Sequence, residues 1–133
     1  MLIPGLQYRD APGAIEFITK AFGLTRGMVV PGPDNTVAHA QLWHDGACLM
    51  LGSRRSDHCA QLDPKRAGGV THAVYMVVAD IDAHYARAVA AGAIAVAPPK
   101  DTDYGSRDYS AHDPEGYLWH FGTYRPDPKE IKA

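Results

Sequence analysis

The chain contains no run near the roughly 20 consecutive apolar residues that a membrane helix needs, no basic stripe and only two cysteines. Each shortage removes a class of function. Without a long apolar run, a spanning helix is not expected. A net charge of -2, with basic residues adjacent only as pairs such as Arg54-Arg55 and Lys65-Arg66, argues against a phosphate-binding surface and hence against a nucleic-acid partner. Met1 to Gly5 lacks the basic start and apolar stretch of a secretory leader, so the expected compartment is the cytoplasm. In that setting Cys48 and Cys59 read as two reduced thiols, with Cys48 in a strand, rather than as a disulfide.

What is present is enough for one compact unit. A chain of 133 residues buries roughly two-thirds of its unfolded surface without a disulfide or structural metal. Leu2 to Tyr8 reads as a short strand, placed at an edge or end of a sheet rather than its middle by Pro4-Gly5. Asp10 caps a helix over Ala11 to Phe22, with Pro12 in its first turn, Ile15, Ile18 and Phe22 as its buried stripe, and Gly23 as its stop. Strands follow over Leu24 to Val30, Thr36 to Trp43 and Ala47 to Leu51, with His44-Asp45-Gly46 turning between the last two. Ser53 to Gly69 is polar and aperiodic and reads as a long connection.

The second half repeats the first. Thr71 to Val78 reads as strand, and Asp80 caps a helix carrying Ile81, Tyr85, Ala88 and Val89 that closes at Gly92. Ala93 to Ala97 reads as strand, Pro98 to Gly105 as loop, and Tyr104 to Tyr124 as a hairpin turning on Asp113-Pro114-Glu115-Gly116. In its last strand Tyr117, Trp119 and Phe121 share one face and Leu118, His120 and Gly122 the other. Asp10 and Asp80 are 70 positions apart, as are Gly46 and Gly116, and this common offset marks a duplicated β-α-β-β-β module. The expected α+β fold has two tandem modules in a curved eight-stranded mixed sheet, helices outside and a concave cavity within. Module 1 covers about 1–52, the connection 53–69, module 2 about 70–124 and a tail 125–133, all in a single domain 1–133.

Three phrases carry a resemblance: Asp10 to Phe17 closing on Ala21-Phe22-Gly23, the strand Val37 to Leu42, and Tyr104-Gly105-Ser106-Arg107 leading to Asp113 to Trp119. On these the chain resembles the vicinal oxygen chelate superfamily, the glyoxalase/bleomycin-resistance/dioxygenase fold, and within it the PhnB-like and drug-binding members. The fold hosts unrelated chemistries. The resemblance implies four metal positions, on the first and last strand of each module. In module 2 they match His72 and His120; in module 1 they fall on Leu2 or Ile3 and on Met50, which are poor ligands for a hard or borderline divalent ion.

Two functional readings follow. One is a non-catalytic binding protein, without a cofactor, that sequesters a flat aromatic or amphipathic molecule such as an antibiotic or secondary metabolite. Its candidate contacts are His39, Gln41, Trp43, Cys48, Met50, His72, Tyr104, Arg107, Tyr109 and His120. Trp43 shares a strand face with His39 and Gln41 and offers a stacking surface, while Trp119 reads as core. The other reading is a glyoxalase- or dioxygenase-like enzyme in which His72 and His120 hold Zn, Ni, Mn or Fe. It lacks a third ligand at a family position and an acidic residue on the cavity face, which favours binding over catalysis. Nothing around Cys48 stabilises a thiolate nucleophile. His44, His58, His84 and His112 read as surface or turn residues. The resemblance also implies a homodimer, with the cup built within one chain or across two.

Overall fold

A computed structural model describes residues 1–130; the end of the expected tail, 131–133, lies outside the described residues. Module 1 comprises β1 (Gly5–Tyr8), α1 (Ala11–Phe17) continuing as a π-turn over Ile18–Phe22, β2 (Thr25–Pro31), β3 (Val37–His44) and β4 (Ala47–Ser53). Module 2 comprises β5 (Ala73–Val77), α3 (Ile81–Ala90), β6 (Ile94–Asp101), β7 (Arg107–His112) and β8 (Leu118–Gly122). Between them lies a short helix, α2 (Pro64–Ala67), unannounced by any apolar period because Asp63 and Gly68 alone start and stop it. A closing turn covers Pro128–Glu130. No helix among the described residues is long and apolar enough to cross a membrane.

This is the expected α+β class of two β-α-β-β-β modules. Its eight strands are divided between two four-stranded sheets, ordered β1-β4-β3-β2 and β5-β8-β7-β6. In each sheet the first strand pairs in parallel with the last and all other neighbours are antiparallel. The Pro4-Gly5 signal for an edge strand agrees with the position of β1, and β6 tolerates Pro98 and Pro99 because it too is an edge.

Local chemistry explains the element ends. The Asp10 carboxylate accepts from the Gly13 N–H (3.0 Å), and the Asp80 carboxylate from the Ala83 N–H (3.1 Å). Gly23 ends the first helix with φ 79°, a conformation that a side chain disfavours.

Both sheets turn one side to the same core. Leu6, Tyr8, Ala40, Leu42, Leu49 and Leu51 supply it from the first sheet, and Met76, Tyr109, Ala111, Trp119 and Phe121 from the second. Phe22, at the end of module 1's helix, packs on the second sheet, with its ring centroid 4.9 Å from Trp119 and 4.8 Å from Phe121. The Tyr8 and Tyr117 rings meet at 4.9 Å.

The turn Asp113 to Gly116 does more than reverse the chain. Asp113, 1 % exposed, accepts from the Tyr8 hydroxyl (2.6 Å), the Trp119 indole (3.2 Å) and the N–H groups of Glu115 (3.0 Å) and Tyr117 (3.1 Å). Glu115 accepts from the N–H groups of Arg9 and Asp10 at 2.7 and 2.9 Å. Two turn carboxylates thus tie module 2 to module 1, Asp113 to the end of β1 and Glu115 to the start of α1. Burial pushes the Asp113 carboxyl above its ordinary value, against the pull of its four donors.

Candidate functional site

Strand alternation sets the candidate site. On β3 the even positions Ala40 and Leu42 enter the core, which leaves His39, Gln41 and Trp43 on the open face. Gln41 lies opposite Met50 and Trp43 opposite Cys48 on β4, so all five residues share that face. Across the parallel ladder Met50 is matched by Gly5 of β1.

His39 Nε2 and Gln41 Nε2 are 3.1 Å apart, a pair whose donor depends on the imidazole tautomer. Trp43 is 38 % exposed and lies over Gly27, where a Cβ would stand 2.7 Å from the indole nitrogen. That glycine is the seat of the ring. Cys48 is 8 % exposed and its thiol faces the Leu49 carbonyl at 3.7 Å. An open groove of about 160 Å³ runs past His39, Met50, Gly5, Gly52, Arg55 and Gln61.

The second sheet presents a different surface. His120 lies opposite Tyr75 on β5 and opposite Ser110 on β7, and its Nδ1 is 2.7 Å from Ser110 Oγ. Tyr104, 63 % exposed, donates to Asp108 at 3.1 Å.

Three expected contacts belong elsewhere. Tyr109 has the parity of Phe121, is 1 % exposed, and meets His84 Nδ1 at 2.5 Å inside the core; its burial pushes the phenol well above its ordinary range. Arg107 is held by both Asp82 oxygens (2.9 Å each) and by Asp101 (3.1 Å), a clamp between β7, α3 and β6 rather than a free ligand contact. His72 precedes β5 with the parity of the core residues Val74 and Met76, and its ring approaches Tyr117 at 6.2 Å. The residue paired with His120 is Tyr75, three positions further along and so roughly 10 Å away along the strand. The partly buried Val74 and the buried Met76 and Val78 carry the phase that identifies Tyr75.

The donor set does not fit a catalytic metal. Such a site generally needs three protein ligands and an open position. The paired positions on first and last strands are Gly5 with Met50 and Tyr75 with His120, and they hold a single imidazole. Among the described residues, the only cluster of three or more potential ligands is Asp57, His58 and Cys59, exposed in the connection, with Asp57 already bound by Arg55. No chemical step is therefore assigned to an ion.

Other histidines are more engaged than surface residues should be. His84 Nε2 reaches the Phe22 carbonyl at 2.8 Å, so the ring joins module 2's helix to the end of module 1's, and burial lowers its pKa. His44 Nε2 meets the Val77 carbonyl at 2.8 Å and His112 Nδ1 the Gly116 carbonyl at 3.0 Å. His84 has a sequence signal, since it lies one turn from Ile81 and Ala88 on the helix stripe.

Known proteins support this architecture. An uncharacterized protein of Mycobacterium bovis, Mb0911c, is 36 % identical over 123 residues, covering 91 % of this chain and 81 % of its own. TioX from Micromonospora sp. ML1 is 27 % identical with a TM-score of 0.73, over 93 % of this chain and 98 % of that one. A glyoxalase I mutant from Zea mays has the same TM-score at 18 % identity, over 96 % of this chain and 46 % of that one, a likeness of fold. Residues 4–121 match the Glyoxalase/Bleomycin resistance protein/Dioxygenase superfamily, and the chain belongs to that family.

Proposed function

We propose that the protein is a cytoplasmic small-molecule-binding protein of the bleomycin-resistance type, which holds a flat aromatic or amphipathic molecule such as an antibiotic or secondary metabolite without transforming it. The observation that carries this reading is the exposed Trp43 ring seated on Gly27, beside the His39–Gln41 pair and the soft side chains of Cys48 and Met50. Such a wall suits a planar ligand: a stacking face, polarizable sulfur and two polar groups to orient it. No acid stands among these residues to act as a base.

The polar groups of the second sheet, His120, Ser110 and Tyr75, lie on its own open face. In this reading a second copy brings the two kinds of face together in a C₂ homodimer. Sedimentation should then give twice the 14.4 kDa chain mass at micromolar concentration, and a monomer would leave each face to bind alone.

Fluorescence provides the direct test. Trp119 is 1 % exposed, so ligand-dependent quenching reports Trp43. Planar aromatic compounds should quench the metal-free protein saturably, and Trp43→Ala should weaken binding about 2- to 13-fold, the range of a stacking contact. A silent protein across a broad panel would reject the proposal. So would stoichiometric zinc, nickel, manganese or iron in untagged protein that is lost on His120→Ala.

A further inference from the structure

Three tyrosines gather at one end of the second sheet, away from the Trp43 wall: Tyr104, an expected ligand contact, Tyr75 of the sheet's open face, and Tyr124. Tyr75, Tyr104 and Tyr124 are 42, 63 and 41 % exposed, unusual for large rings clustered together. Tyr104 and Tyr124 meet at a ring distance of 6.0 Å and an angle of 87°, forming a corner. The Tyr75 hydroxyl donates to the Tyr124 carbonyl at 2.8 Å, which ties the third ring to that corner.

A carboxylate stands at the hydroxyl edge of this cluster. Asp108 accepts from the hydroxyls of Tyr104 (3.1 Å) and Ser106, and Ser106 Oγ in turn accepts from the Tyr124 N–H (3.0 Å). Gly122 makes the arrangement possible: a Cβ there would collide with both Asp108 Oδ1 and the Tyr75 hydroxyl oxygen, so these two groups share the space it leaves. Glu130 stands 3.5 Å from the Tyr124 hydroxyl and adds a second negative charge. Lys100 faces Asp108 across the β6–β7 ladder, yet both Asp108 oxygens are taken by hydroxyl donors rather than by its ammonium.

Aromatic faces attract cations through the ring quadrupole, and a quaternary ammonium fits them best because it has no N–H to satisfy. We propose that Tyr75, Tyr104 and Tyr124, with Asp108 at the Tyr104 hydroxyl, form a binding site for the quaternary ammonium group of a small molecule. The site is built within one chain, on residues distinct from the Trp43 wall, so cation binding can fail while planar-ligand quenching of Trp43 stands, and the reverse.

The test uses the intact protein and three probes observed by proton NMR. Choline and tetramethylammonium should bind saturably with their methyl signals shifted upfield by the rings, while 3,3-dimethylbutan-1-ol, the uncharged isostere of choline, should bind at least about tenfold more weakly. Tyr104→Leu should abolish the upfield shift. Asp108→Asn should weaken the cations severalfold and leave the alcohol unchanged, whereas Lys100→Gln should strengthen the cations. Equal binding of choline and the alcohol, or no saturable binding of either cation, would overturn the site. A trimethyl-lysine peptide that bound more tightly than choline would overturn its assignment to small molecules.

Discussion

The two modules carry the same scaffold and different faces. At paired positions 70 residues apart, module 1 has Gly5 and Met50 where module 2 has Tyr75 and His120. The caps Asp10 and Asp80 and the turn glycines Gly46 and Gly116 are retained, because the backbone requires them in both copies. Duplication therefore constrains the ends of elements and leaves the open faces free to diverge. One face has become soft and flat, the other hydroxyl- and imidazole-rich.

Trp43 and Asp113 give the strongest contrast, since they too are 70 apart: one is an exposed ring, the other a buried carboxylate with four donors. Asp113→Ala should cost about 3–5 kcal/mol in urea unfolding, because it leaves several buried donors without an acceptor. Trp43→Ala should cost less than about 1 kcal/mol. Equal losses would mean that the junction at Asp113 does not hold the modules together.

Gly52 and Gly122 form a second matched pair. A Cβ on Gly52 would stand 3.1 Å from the Ala38 carbonyl oxygen, which the sheet holds in place, whereas one on Gly122 meets the tips of two side chains. Gly52→Ala should lower stability by about 1–2 kcal/mol, and Gly122→Ala by less, with loss of choline binding as its main effect. Thermal and NMR titrations on the same samples separate the two.

The helix caps are the point at which the modules should behave alike. Asp10→Ala and Asp80→Ala should each cost about 1 kcal/mol by denaturant midpoint. A clear inequality would show that one helix depends on its neighbour more than on its cap.

The smallest effect is a dependence on acid peculiar to module 2. Burial lowers the pKa of His84, so below about pH 6.5 the unfolded chain binds protons that the folded chain resists. The stabilisation from neutral His84 is full above that pH and declines as pH falls through its lowered value. The melting temperature should drop modestly between pH 7.5 and 5.5, and His84→Gln should flatten that slope.

Most of the scaffold was legible because periodicity and punctuation are local. The first helix ends at Gly23 as its residue type predicts, and the Asp113 to Gly116 turn joins β7 to β8. Strand phase was harder where a strand begins irregularly. His72 looked equivalent to His120 in spacing, but the register depends on which side of β5 is buried, and that is decided by packing of Val74 and Met76. Arg107 and Tyr109 depart from the expected contact set for a related reason: their partners, Asp82 and His84, lie on a helix about 25 residues earlier.

By itself the sequence determined the duplicated module, its caps and turns, and the grouping of His39, Gln41 and Trp43, since alternation along one strand needs no distant partner. Only the tertiary structure decided that eight strands divide into two sheets about one core, that Asp113 and Glu115 bind the modules, and that Tyr75, Tyr104 and Tyr124 gather beside Asp108. Those outcomes depend on residues far apart in the chain competing for the same buried space and the same hydrogen-bond donors, and no local pattern encodes that competition.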